Sequence, residues 1–107
     1  MKMIRAIVRP EQEEAVLKAL EEAGLYAITK FPVLGRGRQR GIQIGSVSYD
    51  LLSKVMLLIT VTESEYPKAL EAITTGGLTG RPGDGKMFVQ EVAQSISVRT
   101  GKNEVLG

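Results

Sequence analysis

Ile4-Arg5-Ala6-Ile7-Val8, followed ten residues on by Lys18-Ala19-Leu20-Glu21, returns in the second half of the chain as Leu57-Leu58-Ile59-Thr60-Val61 before Lys68-Ala69-Leu70-Glu71. Each apolar run has the length of a strand, and each later segment belongs to a helical repeat of apolar positions. Residues 3 to 8 end at Arg9-Pro10 and lead into Glu11, Glu13 and Glu14, where a proline in the first turn and early acids mark a helix start. Val16, Leu17, Leu20 and Ala23 recur at helical spacing, and Gly24 supplies a stop. Residues 26 to 34 are rich in β-formers, a loop follows, and a second strand resumes over residues 55 to 61. Ser64 is placed to cap a second helix, with Pro67 in its first turn, Tyr66, Ala69, Leu70 and Ile73 on one face, and Gly76-Gly77 at its end. A last strand starts near Met87.

The order is βαββαβ. It predicts an α+β domain of ferredoxin-like, split βαβ type, with an antiparallel sheet carrying two helices on one face. The likeness of the halves suggests internal duplication, although any two amphipathic helices share such a pattern. One sheet face is then left to be covered, and for so short a chain the simplest cover is another copy of itself.

At 107 residues with 43% hydrophobic side chains, one domain spanning 1–107 is expected. No stretch approaches the roughly 20 apolar residues that span a bilayer, and Pro10-Glu11 interrupts any signal-peptide core, so a cytoplasmic chain without membrane insertion is expected. With no cysteine and no histidine, disulfides, thiolate chemistry and the commonest general base and metal ligand are excluded, which argues against an enzyme. The net charge of +2 implies no general affinity for nucleic acid. An RNA-binding sheet is the alternative from another class, and 5% aromatics with none on the inner strands speaks against it.

Three segments carry candidate chemistry. In Thr79-Gly80-Arg81-Pro82-Gly83-Asp84-Gly85-Lys86, glycines permit successive N–H groups to converge on an anion while Lys86 adds a point charge; a plain turn has the same composition. Gly35-Arg36-Gly37-Arg38-Gln39-Arg40-Gly41 offers three guanidinium groups, and Gln39 an amide able to coordinate Mg²⁺ or orient a carboxylate, with Lys54 returning nearby; a solvated basic hairpin is the bland reading. In Ser95-Ile96-Ser97-Val98-Arg99-Thr100-Gly101-Lys102, alternation predicts a strand with Ser97 and Arg99 on one face and Arg99 near Lys86.

Together these segments resemble the PII nitrogen-regulatory proteins over residues 1 to 100. Thr79-x-x-x-Gly83-Asp84-Gly85-Lys86-Met87-Phe88-Val89 is similar to that family's B-loop signature (about 79–87), and Gly35-x-Gly37-Arg38-Gln39-Arg40-Gly41 to the base of its T-loop (about 37–54). The resemblance implies a trimer that binds ATP or ADP between subunits, with 2-oxoglutarate joining MgATP. Carried over by residue, it implies a nucleotide site of Ile7, Thr29, Gly35, Gly37, Arg38, Gln39, Thr60, Gly83, Asp84, Gly85, Lys86 and Arg99. It places 2-oxoglutarate at Gly37, Gln39, Arg40, Gly41 and Lys54, and Mg²⁺ at Gln39. Ser97 stands where the family usually has a second arginine, and Met87 replaces Ile or Val. The loop is several residues short and lacks the tyrosine at its tip that many relatives modify. The short loop, the opening residues and the ending from Arg99 through the 95–107 tail most resemble the NifI branch, in which two related proteins co-assemble and inhibit dinitrogenase. A homotrimer or such a hetero-oligomer is thus implied, with regulation of an ammonium transporter or glutamine synthetase as the alternative within the family.

Overall fold

The strand β1 (Lys2–Val8) lies in the middle of the molecule, paired antiparallel on one side with β5 (Leu52–Val61) and on the other with β6 (Gly85–Glu91). The computed structural model describes residues 1–36, 42–44, 47–49 and 51–104. A second edge strand, β2 (Thr29–Gly35), pairs antiparallel with β5, so the four-stranded sheet runs β2-β5-β1-β6. Helices α1 (Glu13–Glu22) and α2 (Tyr66–Gly77) follow β1 and β5. This is the ferredoxin-like α+β arrangement that the element order predicts. Within the segment expected as a loop, β3 (Ile42–Ile44) and β4 (Val47–Tyr49) form a small antiparallel pair.

Strand alternation divides the sheet into two faces. Ile4, Ala6 and Val8 of β1 and Val55, Leu57, Ile59 and Val61 of β5 point to one side and form a core with Val16 and Leu20 of α1 and Ala69, Ala72 and Ile73 of α2. The two helices meet closely because position 76 has no side chain. A Cβ on Gly76 would stand 2.6 Å from the Val16 Cα.

Helix ends follow local chemistry. After α1, Gly24 takes φ 83°, and the Leu25 N–H donates to the Leu20 carbonyl at 2.9 Å, a six-residue closure that also folds Leu25 onto the core. Before α2, Thr62 and not Ser64 performs the capping. The Thr62 hydroxyl accepts the Glu65 N–H at 3.2 Å, while the Glu65 carboxylate accepts the Thr62 N–H at 2.9 Å, a reciprocal box spelled by Thr62-x-x-Glu65.

Two further expectations change. The last strand begins at Gly85, because the pairing of Gly85 with Val8 extends the ladder upstream of Met87. Residues 95–104 are not a strand with Ser97 and Arg99 on one face. They fold on themselves: the Gly101 N–H donates to the Ser97 carbonyl at 2.7 Å, the Ser97 N–H to the Lys102 carbonyl at 2.9 Å, and Ile96 bridges Asn103. Arg99 lies in the turn that results, exposed.

Candidate functional site

The loop 79–84 joins α2 to β6 and is built around one carboxylate. Asp84 Oδ2 accepts the N–H groups of Thr79 at 2.8 Å and Gly80 at 2.9 Å; Asp84 Oδ1 accepts the Thr79 hydroxyl and, at 3.0 Å, Arg9 Nε. These donors, the Thr79 hydroxyl and amide foremost, hold the carboxyl well below the usual aspartate range.

Two cations from strand ends brace the loop against the sheet. Arg9, just past β1, also donates from Nη2 to the Pro82 carbonyl at 2.6 Å. Lys54, on β5, donates from Nζ to the Gly83 carbonyl at 2.7 Å. Loss of hydration lowers the Lys54 ammonium below its ordinary value, and the positive charge of Arg9 lowers it further. The Gly83 and Asp84 N–H groups have no acceptor among the described residues, so two amide donors accompany the two cations.

Glycine is required at the far end of the loop. Gly85 adopts φ 123°, and a Cβ there would lie 1.8 Å from the Ile7 carbonyl oxygen. Gly83, at φ 92°, turns the backbone beside Arg9 and Lys54. Gly35 pairs with Leu52 and lies against the Lys54 stem, 3.6 Å from its Cγ to an ideal Cβ, so Gly35, Lys54 and Gly83 form one neighbourhood.

The other expected ligand positions are distributed differently. Lys86 is exposed and pairs with Ile7, both on the sheet face away from the helices. Thr29 pairs with Leu58 and Thr60 with Met3 on that same face. Strand spacing of about 4.8 Å and rise of about 3.3 Å per residue put Thr29 and Thr60 each more than about 10 Å from Ile7. One copy of the chain therefore does not close a pocket from Ile7, Thr29 and Thr60. Gly37, Arg38, Gln39, Arg40 and Gly41 lie outside the described residues. Arg9 is the site residue that the sequence reading passed over, and its only local signal is a cation ending a strand before Pro10.

Two βαβ halves sharing one sheet, with a glycine loop braced by two cations at its end, define a ferredoxin-like domain. The family model described as nitrogen regulatory protein P-II matches residues 1–102, and the chain belongs to that family. Relatives include the nitrogen fixation nifHD region GlnB-like protein 1 of Methanothermobacter marburgensis, 46% identical over 94% of this chain and 95% of that one. The protein of the same description from Methanococcus maripaludis is 48% identical, again over 94% of this chain and 95% of its own length. The nitrogen regulatory protein P-II 1 of Methanothermobacter thermautotrophicus is 41% identical over 96% of this chain and 93% of its own. The chain is thus similar both to a protein named nitrogen regulatory protein P-II 1 and, at higher identity, to proteins named for the nitrogen fixation region.

Proposed function

We propose that this P-II protein senses adenine nucleotide and 2-oxoglutarate and restrains dinitrogenase by direct contact when nitrogen is sufficient. The observation that carries the reading is that Arg9 and Lys54 both reach the turn at residues 82–84, where the Gly83 and Asp84 amides have no acceptor among the described residues. Cations and backbone N–H groups in a glycine-turned loop match the phosphates of ATP or ADP, and Lys54 beside Arg9 suits a dicarboxylate. Lys86 and Arg99 add charge, while Arg38 and Gln39 complete the set, Gln39 supplying an oxygen to Mg²⁺.

Separation of Ile7, Thr29 and Thr60 on one copy favours a site shared between copies, in a homotrimer or a mixed oligomer with a related chain. The names of the relatives from nitrogen fixation regions favour dinitrogenase as target. Ile42, Ile44 and Tyr49 on the short loop are the apolar groups that would meet it.

Calorimetry with ATP, ADP and 2-oxoglutarate, each with and without Mg²⁺, tests the sensing step. The expected result is nucleotide binding by the protein alone and 2-oxoglutarate binding only with MgATP. Lys86→Ala and Arg38→Ala should each weaken nucleotide on the order of tenfold to a hundredfold with the fold intact. Unchanged affinity in both variants places the site elsewhere. Retention of an ammonium transporter or glutamine synthetase in place of dinitrogenase, from nitrogen-fixing cells, would redirect the target.

A further inference from the structure

By its position in the loop, Asp84 would count among the groups that touch a bound polyanion, yet a carboxylate there repels the ligand that the cations attract. Its hydrogen bonds resolve the conflict. A carboxylate has two oxygens with about four acceptor sites in all. Each Asp84 oxygen already receives two donors: the Thr79 hydroxyl and Arg9 Nε at one, the Thr79 and Gly80 N–H groups at the other. No acceptor site is left for a metal ion or a ligand hydroxyl unless the loop comes apart.

We propose that the side chain of Asp84 is a positioning group, whose carboxylate touches no ligand and holds the 79–85 backbone and Arg9 in the geometry that receives the polyanion. The assignment rests on the nucleotide-binding reading above. Internal satisfaction of the Thr79 and Gly80 amides leaves those of Gly83 and Asp84 as the loop's uncommitted donors. The bond to Arg9 Nε fixes the guanidinium so that its other end reaches Pro82, and the loop and the cation are ordered as one unit before any ligand arrives. Ordering in advance lowers the entropy that binding must spend. Because the Asp84 carboxylate contacts no particular phosphate, its loss should weaken di- and triphosphate alike.

The test compares Asp84→Asn, Thr79→Val and Thr79→Ser with the unsubstituted protein, by calorimetry with ATP and ADP and by amide exchange at residues 79 and 80 without ligand. Asp84→Asn and Thr79→Val are expected to weaken both nucleotides by a common factor on the order of tenfold and to speed exchange at both amides. Thr79→Ser, which keeps the hydroxyl donor, should restore affinity and protection together. Arg9→Gln combined with Asp84→Asn should cost less than the sum of the two, since both break one pair. If Asp84→Asn fails to fold by circular dichroism, Thr79→Val and its serine rescue decide the matter. Wild-type affinity in Asp84→Asn overturns the assignment while leaving nucleotide binding standing. So does weakened binding with unchanged exchange, or weakening of one nucleotide only, since either marks a direct ligand contact. Failure of the unsubstituted protein to bind either nucleotide overturns the functional reading and this assignment with it.

Discussion

The two faces of the sheet are made by the same strands and differ in everything that follows from alternation. Toward the helices, β1 and β5 bury Ile4, Ala6, Val8, Leu57, Ile59 and Val61. On the other side they present Met3, Arg5, Ile7, Met56 and Leu58, flanked by Phe31 at 40% exposure on one edge and Phe88 at 49% on the other. Apart from Arg5, residues of similar apolar character thus form the core on one side and a partly exposed surface on the other. The helix face carries the core of the domain, while the opposite face leaves its apolar side chains partly exposed.

Substitutions should separate these roles. Leu57→Ala or Leu20→Ala, both almost fully buried, should cost about 2–5 kcal/mol in denaturant unfolding whatever the oligomeric state. A smaller loss, about 1–3 kcal/mol, is expected for Gly76→Ala, which must push α1 from α2 because the new Cβ would lie 2.6 Å from Val16. Phe31→Ser with Phe88→Ser, each ring being about half covered within one subunit, should cost the unfolding of a single subunit about 1–2 kcal/mol, less than Leu57→Ala, yet shift sedimentation toward monomer. If that pair unfolds the chain as readily as Leu57→Ala, the two faces are one folding unit and the contrast fails.

The smallest effect concerns pH and the loop. Asp84 has its carboxyl depressed in the folded chain, so its contribution is full above the ordinary aspartate value near 3.9 and is lost as pH falls toward the depressed one. Amide protection at Thr79 and Gly80 should therefore hold at neutral pH and decline only on strong acidification. Asp84→Asn should abolish that acid dependence, and a decline already under way near neutrality would contradict it.

The sequence made the helix face legible because its periodicities are local. Ile4 through Val8 and Val16, Leu17 and Leu20 announce their elements without knowledge of what they pack against. Where the reading failed, the deciding contacts were distant or hidden in a commoner pattern. Arg9 meets Asp84 across 75 positions, a separation that no motif encodes. Gly85 joins β6 because of its partner Val8, not because glycine favours strands. Alternation over residues 95–102 suggested a strand, but that segment closes on itself through Gly101 at φ 69°. The cap at Thr62 is spelled locally as Thr-x-x-Glu, whereas Ser64 lies nearer the helix but does not cap it. Likewise the glycine-rich composition of residues 79–86 marks a turn between α2 and β6, whereas the commitment of Asp84 to the loop's own donors appears only in three dimensions.

The two borders of the sheet also have unequal fates. Pro32 interrupts β2, the outer strand on one side, and has no amide hydrogen to offer a newcomer. The opposite border, β6, contains no proline. Runaway stacking of misassembled chains, were it to occur during crowded synthesis, would therefore find its template along Met87, Phe88 and Val89.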